Sequence, residues 1–161
     1  MKTILKDNSG EIYVASGFLS AENPLEDLEA FELRQESIRL FGKEVMQPRL
    51  SRLYGEEGIS YKYSGKVFHA ILWSGWLKSI AMICQERCEV PFNTVLLNYY
   101  RNGTDSMGLH SDNEKELGLN PVIASVSFGA TRKMIFRNKE TQEKIVVQLE
   151  HGDLLIMRGA L

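Results

Sequence analysis

Cysteine is scarce in this chain: Cys84 and Cys88 are the whole supply, four apart, and no C-x-x-C occurs. That excludes a disulfide framework. The spacing places both on one face of a helix, one turn apart, and favours a reduced, partly buried pair over a redox or metal pair. Net charge is nearly absent too. Nineteen basic residues against 21 acidic ones leave −2, so any polyanion site is a local patch and not a bulk property. No apolar run approaches the roughly 20 residues of a membrane helix. The first residues reach Lys6 and Asp7 too soon for a secretory signal. These absences read as a cytoplasmic protein, or a nuclear one in a eukaryote, with no membrane association. Histidine is limited to His69, His110 and His151, so a site built on imidazole has few candidates.

What remains is the makeup of one globular domain. The 161 residues are enough to bury about two thirds of the unfolded surface without help from disulfide or metal. Strands over 3–5 and 11–14 flank Asp7-Asn8-Ser9-Gly10 and predict a hairpin. Asn23-Pro24-Leu25-Glu26 carries capping and first-turn signals, and Leu25, Leu28 and Phe31 share a face, so a helix is expected to about residue 37. Residues 34–62 interleave Arg34, Arg39, Lys43, Arg49, Arg52 and Lys62 with Phe41, Tyr54 and Tyr61, punctuated by Gly42, Pro48, Gly55 and Gly58. Such a stretch can form a nucleic-acid surface, although composition alone favours a solvated, turn-rich loop. Residues 70–88 hold Leu72, Trp76, Ile80, Ile83 and Cys84 at helical spacing. From Phe92 onward the signals are β: 92–100, 122–128, 131–137, 145–149 and 154–157, with a turn at 139–142 and the last two joined across His151-Gly152-Asp153. A helical first half followed by evenly spaced strands predicts an α+β fold with a sandwich or jelly roll at its centre.

One constellation carries chemistry. His110-Ser111-Asp112 follows a long strand and a glycine turn, and an imidazole and a carboxylate two residues apart can form two legs of a metal site. The pattern alone is weak; its place beyond a core strand strengthens it. Asn98 and Tyr100 share a face of that strand by parity, so they can point into one cavity, where buried polar groups need partners.

Asn98-Tyr99-Tyr100, the step to His110-Ser111-Asp112, then Ile123 through Gly129 and Glu150-His151-Gly152-Asp153-Leu154-Leu155 closely resemble the AlkB family. Upstream, Leu40-Phe41-Gly42-Lys43, Pro48-Arg49, Tyr54-Gly55 and Tyr61-Lys62-Tyr63-Ser64-Gly65 are similar to its branch that repairs double-stranded DNA. The resemblance implies an iron(II)- and 2-oxoglutarate-dependent dioxygenase that uses O2 to demethylate N-alkylated bases of the 1-methyladenine and 3-methylcytosine type, in duplex DNA by preference, as a monomer. It implies a double-stranded β-helix (jelly roll) core with N-terminal helices packed on it, one domain over 1–161, and a substrate-recognition finger over 38–65. His110 and Asp112 then match iron ligands, and Asn98 and Tyr100 match groups that bind 2-oxoglutarate. Phe41 matches a wedge in the duplex, Arg49 a DNA contact beside it, Tyr63 a stacking platform, and Tyr61, Ser64 and Glu114 the base pocket. The family pattern also expects a second iron-binding histidine and cosubstrate arginines beyond position 161. The expectation for this chain is therefore an incomplete site with little turnover and a jelly roll missing its last strands. His110, Asp112 and His151 could make a triad by composition, but the family carries a non-ligand histidine at the His151 turn. An oxygenase acting on RNA, protein or a small molecule, and an inactive DNA-binding remnant, are the alternatives.

Overall fold

The computed structural model describes residues 1–40, 42–63, 66–112 and 117–159, with the backbone alone at 39, 40 and 63. Among them run thirteen strands: β1 (Lys2–Asp7), β2 (Gly10–Ala15), β3 (Ser37–Leu40), β4 (Lys43–Met46), β5 (Leu50–Gly55), β6 (Ser60–Tyr63), β7 (Lys66–His69), β8 (Ile71–Leu72), β9 (Thr94–Tyr99), β10 (Val122–Val126), β11 (Arg132–Arg137), β12 (Lys144–Leu149) and β13 (Leu154–Arg158). A 3-10 helix covers Pro24–Phe31, and the α-helix α1 covers Gly75–Cys88. The chain is thus mostly β, and its contacts divide it into two compact units, 1–27 with 109–161, and 28–108.

In the first unit a four-stranded antiparallel sheet runs in the order β1-β2-β13-β10, and β11 pairs with β12. Strands β12 and β13 are consecutive but do not pair. The chain changes sheet at the turn between them, which gives two layers of the jelly-roll type found in 2-oxoglutarate oxygenases. The core between the layers is Ile12 and Val14 from β2, Val147 and Leu149 from β12, and Leu155 from β13, with Met134, Phe136 and Ile145 packed around it. Period-two alternation places these residues on the inner faces. Leu154 and Ile156, of opposite parity to Leu155, are buried as well, which accounts for the unbroken apolar run of β13. Each fully buried side chain of this kind contributes roughly 1.5–3 kcal/mol.

In the second unit β5 lies between β8, which runs parallel to it, and β9, which runs antiparallel; β3 pairs with β4 and β6 with β7. One face of β5–β9 packs through Tyr54, Val95 and Leu97 against Phe31, Leu77 and Trp76. The Trp76 and Phe31 rings tilt against each other at 5.7 Å. Helix α1 starts where Ser74 Oγ accepts from Leu77 N at 3.2 Å, and it ends at Glu89 in the left-handed region. Its buried stripe is Leu77, Cys84 and Cys88.

Two expectations need correcting. The helix predicted to reach residue 37 is a short 3-10 helix, kinked at Asp27 (φ −136°, ψ 51°) and followed by Glu32 at φ 44°. The Asn23 side chain donates to Glu26 Oε1 at 2.8 Å, so the capping pair satisfies itself and does not launch an α-helix. Residues 34–62, read as turn-rich loop, hold four strands instead, because glycine supplies the turns: Gly42 and Gly58 both lie at φ 78°. No helix among the described residues is long and apolar enough to cross a membrane.

Both cysteines are buried thiols outside any disulfide. Burial, with Cys88 adding to it, pushes the Cys84 thiol from its ordinary 9.0 up to about 11. We expect neither cysteine to react with iodoacetamide at pH 8 until urea unfolds the chain. In the unfolded chain Cys84 ionises near 9.0 while in the fold it stays protonated. Its stabilising contribution is therefore complete below that value and is lost as pH rises through about 11. Urea midpoints compared at pH 8 and pH 10.5 read that loss, and a Cys84→Ser control removes this group's share.

Candidate active site

His110 and Asp112 lie in the first unit, beyond the described strands and ahead of β10. His110 Nε2 stands 3.3 Å from Asp112 Oδ1, with about a third of each side chain exposed (36% and 33%). Two donors bound side by side to one ion at about 2.1 Å would be separated by roughly 3.0 Å. The observed spacing fits neighbouring positions around a single metal, and one imidazole with one carboxylate suits iron. Among the described residues no group of three His, Cys, Asp or Glu gathers as a metal cluster, so a third ligand is not supplied there.

His151, the compositional candidate for that place, is committed elsewhere. Its Nδ1 accepts from the Gly129 backbone N–H at 3.0 Å, and its ring meets Phe128 edge-on at 5.7 Å. A neutral imidazole accepting at Nδ1 carries its proton at Nε2, which leaves no lone pair for a metal. The histidine belongs instead to the turn between β12 and β13. There Asp153, 4% exposed, accepts from Gly17 N at 2.8 Å through Oδ1 and from Glu150 N at 2.9 Å through Oδ2. Gly152 N donates to Ser127 O at 2.7 Å and Gly152 O accepts from Leu19 N at 2.9 Å. His69, on β7, is exposed.

Asn98 and Tyr100 belong to the second unit, at the end of β9. Asn98 is exposed and Tyr100 half-buried. Antiparallel pairing sets Ser51 opposite Asn98 and Leu50 opposite Tyr99. Arg49, expected at the DNA, is 4% exposed, and its Nε donates to Asn98 Oδ1 at 2.7 Å. Burial to that degree leaves little of it for a phosphate. Sequence reading missed this link because the two residues lie 49 positions apart. The loop leaving β9 is fixed by Asp105, also 4% exposed. It accepts from Arg101 N and Nε at 3.0 and 2.8 Å through Oδ2 and from Nη2 at 2.9 Å through Oδ1. This carboxylate raises the Arg101 pKa above its ordinary value. Ser106 N then donates to Pro48 O at 3.0 Å, tying the loop to the segment that carries Arg49.

Tyr61 is half-buried on β6, opposite Phe68 of β7. Tyr63 closes that strand, paired with Lys66. Phe41, Ser64 and Glu114 lie outside the described residues.

Residues 11–161 match the 2OG-Fe(II) oxygenase superfamily. The chain is 37% identical over 143 residues to DNA oxidative demethylase ALKBH2 of Mus musculus, covering 82% of this chain and 59% of that protein. It is 40% identical over 124 residues to Alpha-ketoglutarate-dependent dioxygenase alkB homolog 3 of Homo sapiens, covering 71% and 43%. It is 31% identical over 150 residues to the ALKBH2 demethylase of Arabidopsis thaliana, covering 76% and 48%. The chain spans about half the length of the curated relatives it matches. Its oxygenase match over 11–161 and its AlkB relatives agree: the chain belongs to the AlkB family of 2OG-Fe(II) oxygenases.

Proposed function

We propose that this protein is an iron(II)- and 2-oxoglutarate-dependent dioxygenase that removes N-methyl groups from bases in DNA. The observation that carries the reading is the convergence of His110 Nε2 and Asp112 Oδ1 at 3.3 Å. These two residues would hold iron, and Asn98 and Tyr100 would hold 2-oxoglutarate. Iron, 2-oxoglutarate and O2 together supply the oxidising chemistry that hydroxylates an N-methyl group, which then leaves as formaldehyde. The protein's share is positioning. A cationic methylated base suits stacking on an aromatic ring such as Tyr63, with Tyr61, Ser64 and the carboxylate of Glu114 around it. Phe41 would offset the lost stacking where the base leaves the duplex. The names of the matched relatives, DNA oxidative demethylases among them, support DNA as the substrate.

Formaldehyde release from oligonucleotides carrying 1-methyladenine or 3-methylcytosine, with iron(II), 2-oxoglutarate and O2, tests the reading. In a version of the protein that supplies a third iron ligand, we expect release to stop in His110→Ala. In Phe41→Ala it should fall roughly tenfold further on duplex than on single strands, since the duplex alone must be unstacked. Equal losses on both would remove the wedge. Release from methylated RNA with none from DNA would reassign the substrate.

A further inference from the structure

Arg49 is a cation in the wrong place for a surface contact. It precedes β5 by one residue, and alternation puts it on the same face as Ser51, Asn98 and Tyr100. The opposite face, with Tyr54, Val95 and Leu97, is the one that packs on the aromatic core. The residue is 4% exposed, and among the described residues its guanidinium forms no ion pair with a carboxylate. Burying a charge without a counter-ion is costly, by several kcal/mol. An anion bound nearby would offset that cost.

Its hydrogen bond also decides how Asn98 faces outward. A guanidinium has only donors, so the atom that meets Arg49 Nε at 2.7 Å must be the amide oxygen. The Nδ2 group, with two hydrogens to give, is left for another partner. An exposed asparagine fixed in this way offers donors and not acceptors, and a buried positive charge stands behind it. That combination selects for a carboxylate. Free rotation about the side chain would present oxygen half the time and repel one.

We propose that Arg49 positions Asn98 for an anionic cosubstrate, locking its carboxamide so that Nδ2 donates to a carboxylate of 2-oxoglutarate. This rests on the reading that Asn98 contacts 2-oxoglutarate. Arg49 is a positioning residue here, acting through Asn98.

The test is equilibrium binding of 2-oxoglutarate to the full chain in the presence of Mn(II), alongside binding of an unmethylated duplex followed by fluorescence anisotropy. Asn98→Ala and Arg49→Ala should each weaken 2-oxoglutarate binding roughly tenfold or more, the scale of one hydrogen bond to a charged group. The double variant should be no more than about twofold worse than either single one, because both changes remove the same interaction. Arg49→Lys, which keeps charge and one donor, should recover part of the loss, and duplex affinity should change less than twofold. If Arg49→Ala does not fold, Arg49→Gln carries the same comparison, keeping a donor toward Asn98 but no charge. A loss in Asn98→Ala with none in the Arg49 variants overturns the inference and leaves the cosubstrate reading standing. No loss in Asn98→Ala overturns both. A large loss of duplex affinity in the Arg49 variants, with 2-oxoglutarate binding intact, returns Arg49 to the DNA.

Discussion

A Gly152→Ala variant should lose a large share of its folding stability. Gly152 lies at φ +76°, where a side chain costs roughly 1–2 kcal/mol. Lack of space costs more. A methyl group there would stand 2.4 Å from Ser20 N, 2.5 Å from Ser20 Cα and 2.7 Å from Leu19 C. These are all backbone atoms, and they are held: Leu19 N donates to Gly152 O, and Leu19 is buried. Nothing flexible can turn away, so the segment after β2 must separate from the turn before β13. That separation breaks the Leu19 bond, and it threatens the bond from Gly17 N to Asp153. Overpacking of this kind adds roughly 1–3 kcal/mol. Against a typical total of about 5–15 kcal/mol, the sum is a large share. Gly58→Ala is the control. Its φ is +78°, nearly the same, but nothing lies within 4 Å of the added carbon. Urea unfolding of both variants separates the two costs. Gly58→Ala should lose only the conformational part. Equal losses would mean that the close approach at Ser20 is relieved cheaply and that the turn is looser than its hydrogen bonds indicate.

The same turn shows what the sequence made legible and what it did not. Strands β10 to β13 were legible nearly to their ends: β11 and β12 show period-two burial, as at Val147 and Leu149, and β13 is a short unbroken apolar run. The hairpin of β1 and β2 was equally plain from Asp7 to Gly10. The end of α1 was legible, but its start and buried face were not: Leu72 lies exposed in β8, Ile83 is exposed, and the buried stripe is Leu77, Cys84 and Cys88. Pairing was not legible. Leu155 lies opposite Val14, 141 positions earlier, and no local pattern chooses that partner over β12, the nearer strand. The first predicted helix failed for a related reason. Asn23, Pro24 and Glu26 are good starting signals, but Leu28, Leu33 and Phe31 are drawn into the core with Tyr54 and Leu77, and the chain kinks at Asp27 to meet it. At the site, His110 and Asp112 could be read as a pair because they are two residues apart. The bond from Arg49 to Asn98 could not, since a buried guanidinium looks in sequence like any other member of a basic stretch.

Removing Asp112 should be the most damaging change to metal binding. Asp112 Oδ1 stands beside His110 Nε2 at 3.3 Å, and among the described residues no third His, Cys, Asp or Glu gathers with the pair. With so few donors each carries a large share of the affinity. Asp112→Ala leaves a lone imidazole, and we expect Mn(II) affinity, read from its electron paramagnetic resonance, to fall roughly a hundredfold or more, beyond the 10–100-fold typical of merely supporting partners. Asp112→Asn keeps an oxygen but loses the charge, so its loss should be large and still smaller than that of alanine. Stability should change far less than metal affinity in either, because the side chain is partly exposed. His151→Ala should behave in the opposite way. Its Nδ1 is spent on Gly129, so metal affinity should stay within twofold of the parent. Folding stability should drop by about 1 kcal/mol for the hydrogen bond removed. If His151→Ala instead abolishes Mn(II) binding as Asp112→Ala does, the imidazole has left Gly129 for the metal. His110, Asp112 and His151 would then form the triad that the bond to Gly129 argues against.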